Sequence, residues 1–155
     1  MYLIVIFAIS LLGLAVAVYL SNYVMRQDTG TENMQAISNA IKEGAEAFLR
    51  RQNKTIAVLS VVVAVLLFLV YSCHKGPDLA WKMTLGFLLG ALSSAVAGFI
   101  GMFVSIRSNI RTAAAARSSL TRALQIALKR GAVSGLAGVA MSLLGVAGLF
   151  MLFGG

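Results

Sequence analysis

Acidic residues are scarce in this 155-residue chain, where five Asp and Glu stand against thirteen Lys and Arg. They are Asp28, Glu32, Glu43, Glu46 and Asp78, and none falls inside a long apolar run. A transporter's ion path usually shows as a carboxylate within a membrane span, and these spans carry none. Nor do the five cluster in sequence as donors that would hold Mg2+ against a phosphate. Cysteine is limited to Cys73, which excludes a disulfide framework and a thiolate metal cluster. The only histidine, His74, is its loop neighbour, so no nucleophile–base–orienter triad can be drawn. A glycine-rich phosphate loop of the P-loop type is missing. The one proline, Pro77, leaves the rest of the chain free to form long helices.

What is present is apolar and comes in runs. Hydrophobic residues make up 59% and charged residues 12%, far from the roughly 25% charged of soluble domains, so the chain reads as an all-α integral membrane protein. Spans are expected over 3–24, 56–71, 81–106 and 131–153, each near the length a helix needs to cross a bilayer. Residues 3–24 compete with a signal peptide, but the run is long, lacks a basic start and has no small-x-small cleavage site after it. The second span is preceded by a polar segment, so a helix from 34 projects from the membrane before entering it at Ile56. In that extension Met34, Ile37, Ile41, Ala45 and Phe48 recur at helical spacing, which predicts an apolar stripe, while Glu46 and Arg50 stand one turn apart on another face. The third span is expected to continue helically past 106, and Ser118 or Ser119 to cap the next helix. SCHKGPDLA, 72 to 80, reads as a turn between spans two and three.

Small residues on the third span form a register four apart: Gly86, Gly90, Ser94 and Gly98. Such faces let helix backbones approach closely in lipid, so these residues, with Gly131 and Gly135 on the fourth span, are the expected helix-packing positions. Leucine at Gly90 or Gly98 is expected to disrupt association.

The basic residues orient the set. Arg26, Lys42, Arg50, Arg51 and Lys54 lie between spans one and two, and six more lie between three and four, against Lys75 and Lys82 between two and three. By the positive-inside rule the basic connections face the cytoplasm and the amino terminus lies on the other side. No aromatic residues interleave with the charges as a base-stacking surface would need, so nucleic acid is not an expected partner. The 107–130 segment reads first as a solvated topogenic loop and second as a phosphate or anionic-lipid contact.

Particular residues also suggest a family. IKEGAEAFLRRQNKTI, 41 to 56, resembles the EGA-x-A-F/Y-L-x-R-Q-Y-x-T-I signature of the membrane-bound, ion-pumping inorganic pyrophosphatases, with Glu43, Gly44, Ala45, Ala47, Phe48, Leu49, Arg51, Gln52, Thr55 and Ile56 in place; Asn53 departs from the tyrosine. GFLLGALSSAVAGFIGM, 86 to 102, then Asn109, Arg111, Thr112 and Ala113, resembles that family's third helix and its N-x-R-T-A exit. Gly131, Ala132, Val133 and Gly135 resemble the G-A-V-x-G opening of its fourth.

The resemblance implies a pump of roughly sixteen transmembrane helices that hydrolyses Mg2+-pyrophosphate on the cytoplasmic side, moves H+ or Na+ outward and works as a homodimer in the bilayer. It makes residues 1–155 a single membrane domain, the amino-terminal portion of a larger one, packed against the pump's remaining helices. The family's aspartate-rich substrate site and ion gate belong to later helices, so no catalytic, cofactor-binding or metal-ligating residue carries over to this chain. Gly154 and Gly155, without a polar stop, fit a chain continuing further. The alternative is a non-enzymatic four-helix membrane assembly protein with a basic cytoplasmic face. A small channel ranks last, because Ser93 and Ser94 are the only adjacent polar pair inside a span.

Overall fold

The computed structural model describes residues 2–154; Gly155, on which part of the chain-end expectation rests, lies outside the described residues. Four helices account for nearly all of them: α1 (Tyr2–Met25), α2 (Glu32–Lys75), α3 (Pro77–Ala116) and α4 (Leu120–Phe153). All four are long and apolar enough to cross a membrane. At 44 residues, α2 reaches about 66 Å, and α3 with 40 residues reaches about 60 Å. Both exceed the roughly 30 Å hydrocarbon core, so the bundle projects beyond it.

Three differences from the sequence reading have physical causes. The expected turn at 72–80 shrinks to Gly76 alone, because α2 continues through Lys75 and α3 begins at Pro77. Gly76 takes φ 90°, which only glycine adopts without strain, and Pro77 needs no backbone donor at the first helical position. Cys73 and His74 are exposed on the last turn of α2.

The 107–130 segment is not the solvated loop it first reads as, while the helical continuation past 106 and the serine cap expected from sequence are both present. Its first ten residues extend α3 and its last eleven begin α4, leaving Arg117–Ser119 as the connection. Alanine from 113 to 116 sustains the helix, and Ser119 Oγ accepts the Arg122 N–H at 3.4 Å as the cap of α4. Finally, Glu46 does not pair with Arg50. It meets Arg107 of α3 at 3.4 Å and Lys42 at 4.0 Å, because the flank of α2 bearing Glu46 turns toward α3.

The helices are not equally held. α3 packs along α4 and, on another side, along α2; α4 also packs along α1. The buried centre is Ala17 of α1, Val104 of α3 and Val133 of α4, flanked by Leu20, Met25, Ile100 and Leu136. At the end remote from the basic connections, the Trp81 and Phe153 rings meet edge to face at 5.6 Å and tie the start of α3 to the end of α4. By contrast α2 touches α3 alone and buries only Ala64. Of its predicted stripe, Met34 and Ala45 are half-buried, while Ile37, Ile41 and Phe48 stay exposed.

Candidate functional site at the basic end of the bundle

The polar contacts between helices gather where α1 ends, α4 begins and α3 leaves its apolar stretch. A helix leaves its last carbonyls without intrahelical donors, and α1 ends at Met25 with no basic residue in its own last turn. Arg111 supplies the donors from α3: its Nε and Nη2 reach the Met25 carbonyl at 3.2 and 3.0 Å, and Nη1 bonds the Arg107 carbonyl. Burial, and then the like charge of Arg107, lowers the Arg111 pKa. A guanidinium nonetheless keeps its proton, so Arg111 is a charged clamp on the negative end of the α1 dipole.

Its neighbours in the N-x-R-T run have separate partners. Asn109 Oδ1 accepts from Arg130 Nη1 of α4 at 2.7 Å. Thr112 turns inward and donates to the Ser108 carbonyl of its own helix at 3.0 Å. The run thus joins α3 to α1 through Arg111 and to α4 through Asn109. Two more contacts close the α1–α4 seam: Lys129 Nζ lies 3.5 Å from the centroid of the Tyr23 ring, and Arg122 Nη2 donates to Gln27 Oε1 at 3.2 Å.

The 43–52 signature is not brought into this cluster. Glu43, Gly44, Phe48, Arg51 and Gln52 are exposed on α2, and Ala45 and Leu49 are half-buried. Glu43 borders an open depression with Asn39, Lys42 and Arg50, all from α2. Leu49 and Asn53 border a groove of 280 Å3 against Phe99, Phe103 and Arg107 of α3. The Arg107 guanidinium there sits 3.5 Å over the Phe103 ring while it meets Glu46.

The helix-packing positions are distributed unevenly. A Cβ placed on Gly86 would lie 3.9 Å from the Leu149 side chain, but one on Gly90, Gly98, Gly131 or Gly135 would meet nothing within 4 Å. Ser94 is exposed alongside Gly90 and Gly98. The close approaches fall on residues the sequence reading passed over. A Cβ on Gly101 would lie 3.1 Å from Ser134 Oγ, one on Gly145 would lie 3.4 Å from Ser93 Oγ, and one on Gly13 would lie 3.7 Å from Ala140 Cβ. The signal for them was available: Ser93, Ala97 and Gly101 are also spaced by four, one face round from Gly90, Ser94 and Gly98.

Among the described residues no three His, Cys, Asp or Glu come together in a way that could hold a metal ion. What the cluster does is mechanical and electrostatic: it fixes the ends of three helices against one another and concentrates positive charge there.

Comparison with known proteins accounts for the motifs. The family model for inorganic H+ pyrophosphatase matches residues 11–155. A K(+)-insensitive pyrophosphate-energized proton pump of Caldanaerobacter subterraneus subsp. tengcongensis is 50% identical over 99% of this chain and 23% of its own length. Proton pump 2 of the same description from Moorella thermoacetica is 48% identical over 94% of this chain and 20% of its own. The pyrophosphate-energized membrane proton pump 3 of Arabidopsis thaliana is 37% identical over 96% and 20%. The chain spans between a fifth and a quarter of the length of these relatives. With four membrane-crossing helices and a match over almost its whole length, this integral, multi-pass membrane chain belongs to the inorganic H+ pyrophosphatase family.

Proposed function

We propose that these helices are the amino-terminal scaffold of a pump that couples hydrolysis of Mg2+-pyrophosphate to H+ translocation, with the catalytic carboxylates and the Mg2+ they bind in helices beyond this segment. The observation that carries this reading is the match of residues 11–155 to the family together with relatives named as pyrophosphate-energized proton pumps. Those names favour H+ over Na+ as the carried ion and activity that does not depend on K+.

In this reading the whole pump is a homodimer, the basic end faces the cytoplasm, and the amino terminus lies outside it. Gly90, Ser94 and Gly98 on α3, and Gly131 and Gly135 on α4, receive further helices of the same pump. Their openness within this chain supports that role, because a backbone without side-chain bulk gives lipid little to pack on and another helix much.

Expression of residues 1–155 alone is expected to give no Mg2+-dependent release of phosphate from pyrophosphate. A coding frame that continues past residue 155 into aspartate-rich helices, and whose product acidifies vesicles on addition of pyrophosphate, is the expected counterpart. Turnover by 1–155 alone, or a stop codon directly after residue 155, overturns the reading.

A further inference from the structure

Positive charge at the basic end is held mostly by neutral partners; Asp28 borders a cleft with Arg111 and Arg122 but forms no ion pair with either. Among the described residues only Glu46 forms ion pairs, with Lys42 and Arg107. Along the α1–α4 seam the partners are neutral, the Tyr23 ring for Lys129 and the Gln27 amide for Arg122, and Arg130 has the Asn109 amide of α3. Arg26 lies three residues after Tyr23, in the turn that follows α1, exposed and without a side-chain hydrogen bond among the described residues. Since α1 and α4 run antiparallel here, Tyr23–Lys129 joins the two helices and Gln27–Arg122 joins the turn after α1 to α4, with Arg26 between them in sequence.

Two features separate this arrangement from charge that only sets topology. Topology requires positive residues in the connections and leaves their rotamers free, yet here Lys129 is half-buried and fixed by a ring that cannot cancel its charge. A half-buried ammonium without a counter-ion is also unfavourable unless an anion or water completes it. The level matters as well, because Lys129 and Arg130 together precede the apolar stretch of α4 and Tyr23 lies at the close of that of α1, which is where phospholipid phosphates lie.

We infer that the basic end of the α1–α4 seam, formed by Arg26, Arg122 and Lys129 with Tyr23 as the platform, binds the phosphate of an anionic phospholipid. Lys129 flanks it from α4 and Arg26 from the turn after α1, and Arg122 closes the side away from the membrane. Arg130, turned toward Asn109 on α3, adds to the field.

The test is native mass spectrometry of the full chain, delipidated in detergent and offered equal amounts of phosphatidylglycerol and phosphatidylcholine. Phosphatidylglycerol is expected to be retained preferentially, and less so as salt is raised. The double variant Arg26→Gln, Lys129→Gln is expected to lose that preference by roughly tenfold or more, taking about 1 kcal/mol for each basic residue near a lipid surface. Lys129→Arg should keep it, and Lys82→Gln, at the opposite end, should leave it unchanged. If circular dichroism shows the double variant has lost helix, the exposed Arg122→Gln decides in its place. Equal retention of the two lipids overturns the inference, as does undiminished phosphatidylglycerol binding in the variant. Displacement of the lipid by millimolar inorganic phosphate overturns it too, since the ligand would then be the free ion.

Discussion

α3 carries two registers of small residues that composition does not distinguish. Ser93, Ala97 and Gly101 face α4 and are half-buried, whereas Gly90, Ser94 and Gly98 are exposed. In the first register Gly101 and Ser134 come close enough that a methyl group at Gly101 would lie 3.1 Å from the Ser134 hydroxyl. In the second, the same methyl group at Gly90 or Gly98 meets nothing. The difference teaches that a small-residue face licenses close packing without saying where in the molecule it is used. In lipid there is no hydrophobic drive to decide the matter, so the choice falls to specific contacts that set the rotation of the helix.

Arg111 is the strongest of those contacts, and its removal is the sharpest way to break the contrast. The guanidinium fixes α3 against the end of α1 by two hydrogen bonds to the Met25 carbonyl. Arg111→Ala loses them and leaves a helix-end carbonyl without donors, at a cost of about 2–4 kcal/mol. A large fall in thermal midpoint in detergent is expected, together with faster cysteine labelling of a probe placed at Ser93 in the Cys73→Ser background as the packed register loosens. Arg111→Lys should recover only part, since an ammonium cannot span the same carbonyl from two nitrogens of a planar fork.

Gly101→Leu tests the packed register directly. The added side chain has to displace Ser134 or part α3 from α4, and overpacking of this kind costs about 1–3 kcal/mol. Gly101→Ala should cost less, and Ser134→Gly in the same chain should relieve it. A double-mutant cycle on the thermal midpoints checks the coupling. Additive effects would mean that the two residues do not touch.

Glu46→Gln gives a smaller effect on the α2 side. It removes the only ion pairs among the described residues, with Arg107 at 3.4 Å and Lys42 at 4.0 Å, and Glu46 is itself half exposed. An exposed pair of this kind contributes about 0.2–1 kcal/mol, so a slight loss of stability is expected, vanishing at high salt.

How far the sequence reveals the molecule follows the same division. The four helices and the projection of the second are legible because apolar runs, a charged extension and a single proline each have one physical reading. The one-residue connection at Gly76 was hidden, since Gly-Pro marks both a loop and a helix start and nothing local tells which. The Arg111 clamp was visible only as part of the N-x-R-T resemblance, because its partner is a backbone carbonyl 86 residues away. Lys129 over Tyr23 was hidden for a similar reason: nothing local links the two residues, and only the antiparallel pairing of α1 with α4 brings them together.

The smallest effect is expected where the sequence alone suggests a large one. Gly90→Leu and Gly98→Leu place bulk where an added methyl group meets nothing within 4 Å, Gly90 beside an open groove that α4 lines with Gly138, Ser142 and Leu149, so in residues 1–155 the thermal midpoint should move by no more than surface substitutions do, within about 0.5 kcal/mol. A slight gain is admissible, because leucine favours helix over glycine by close to 1 kcal/mol in an exposed interior. The same two substitutions in a full-length chain should be costly if further helices of the pump lie on this face, since close backbone approach would be lost. Comparing the shift in 1–155 with the shift in the longer protein therefore measures how much of the α3 surface is reserved for helices beyond this segment. A large destabilisation already present in 1–155 would mean that the open register packs within these four helices, and that α3 is rotated by about one side-chain row from the position in which Arg111 holds it.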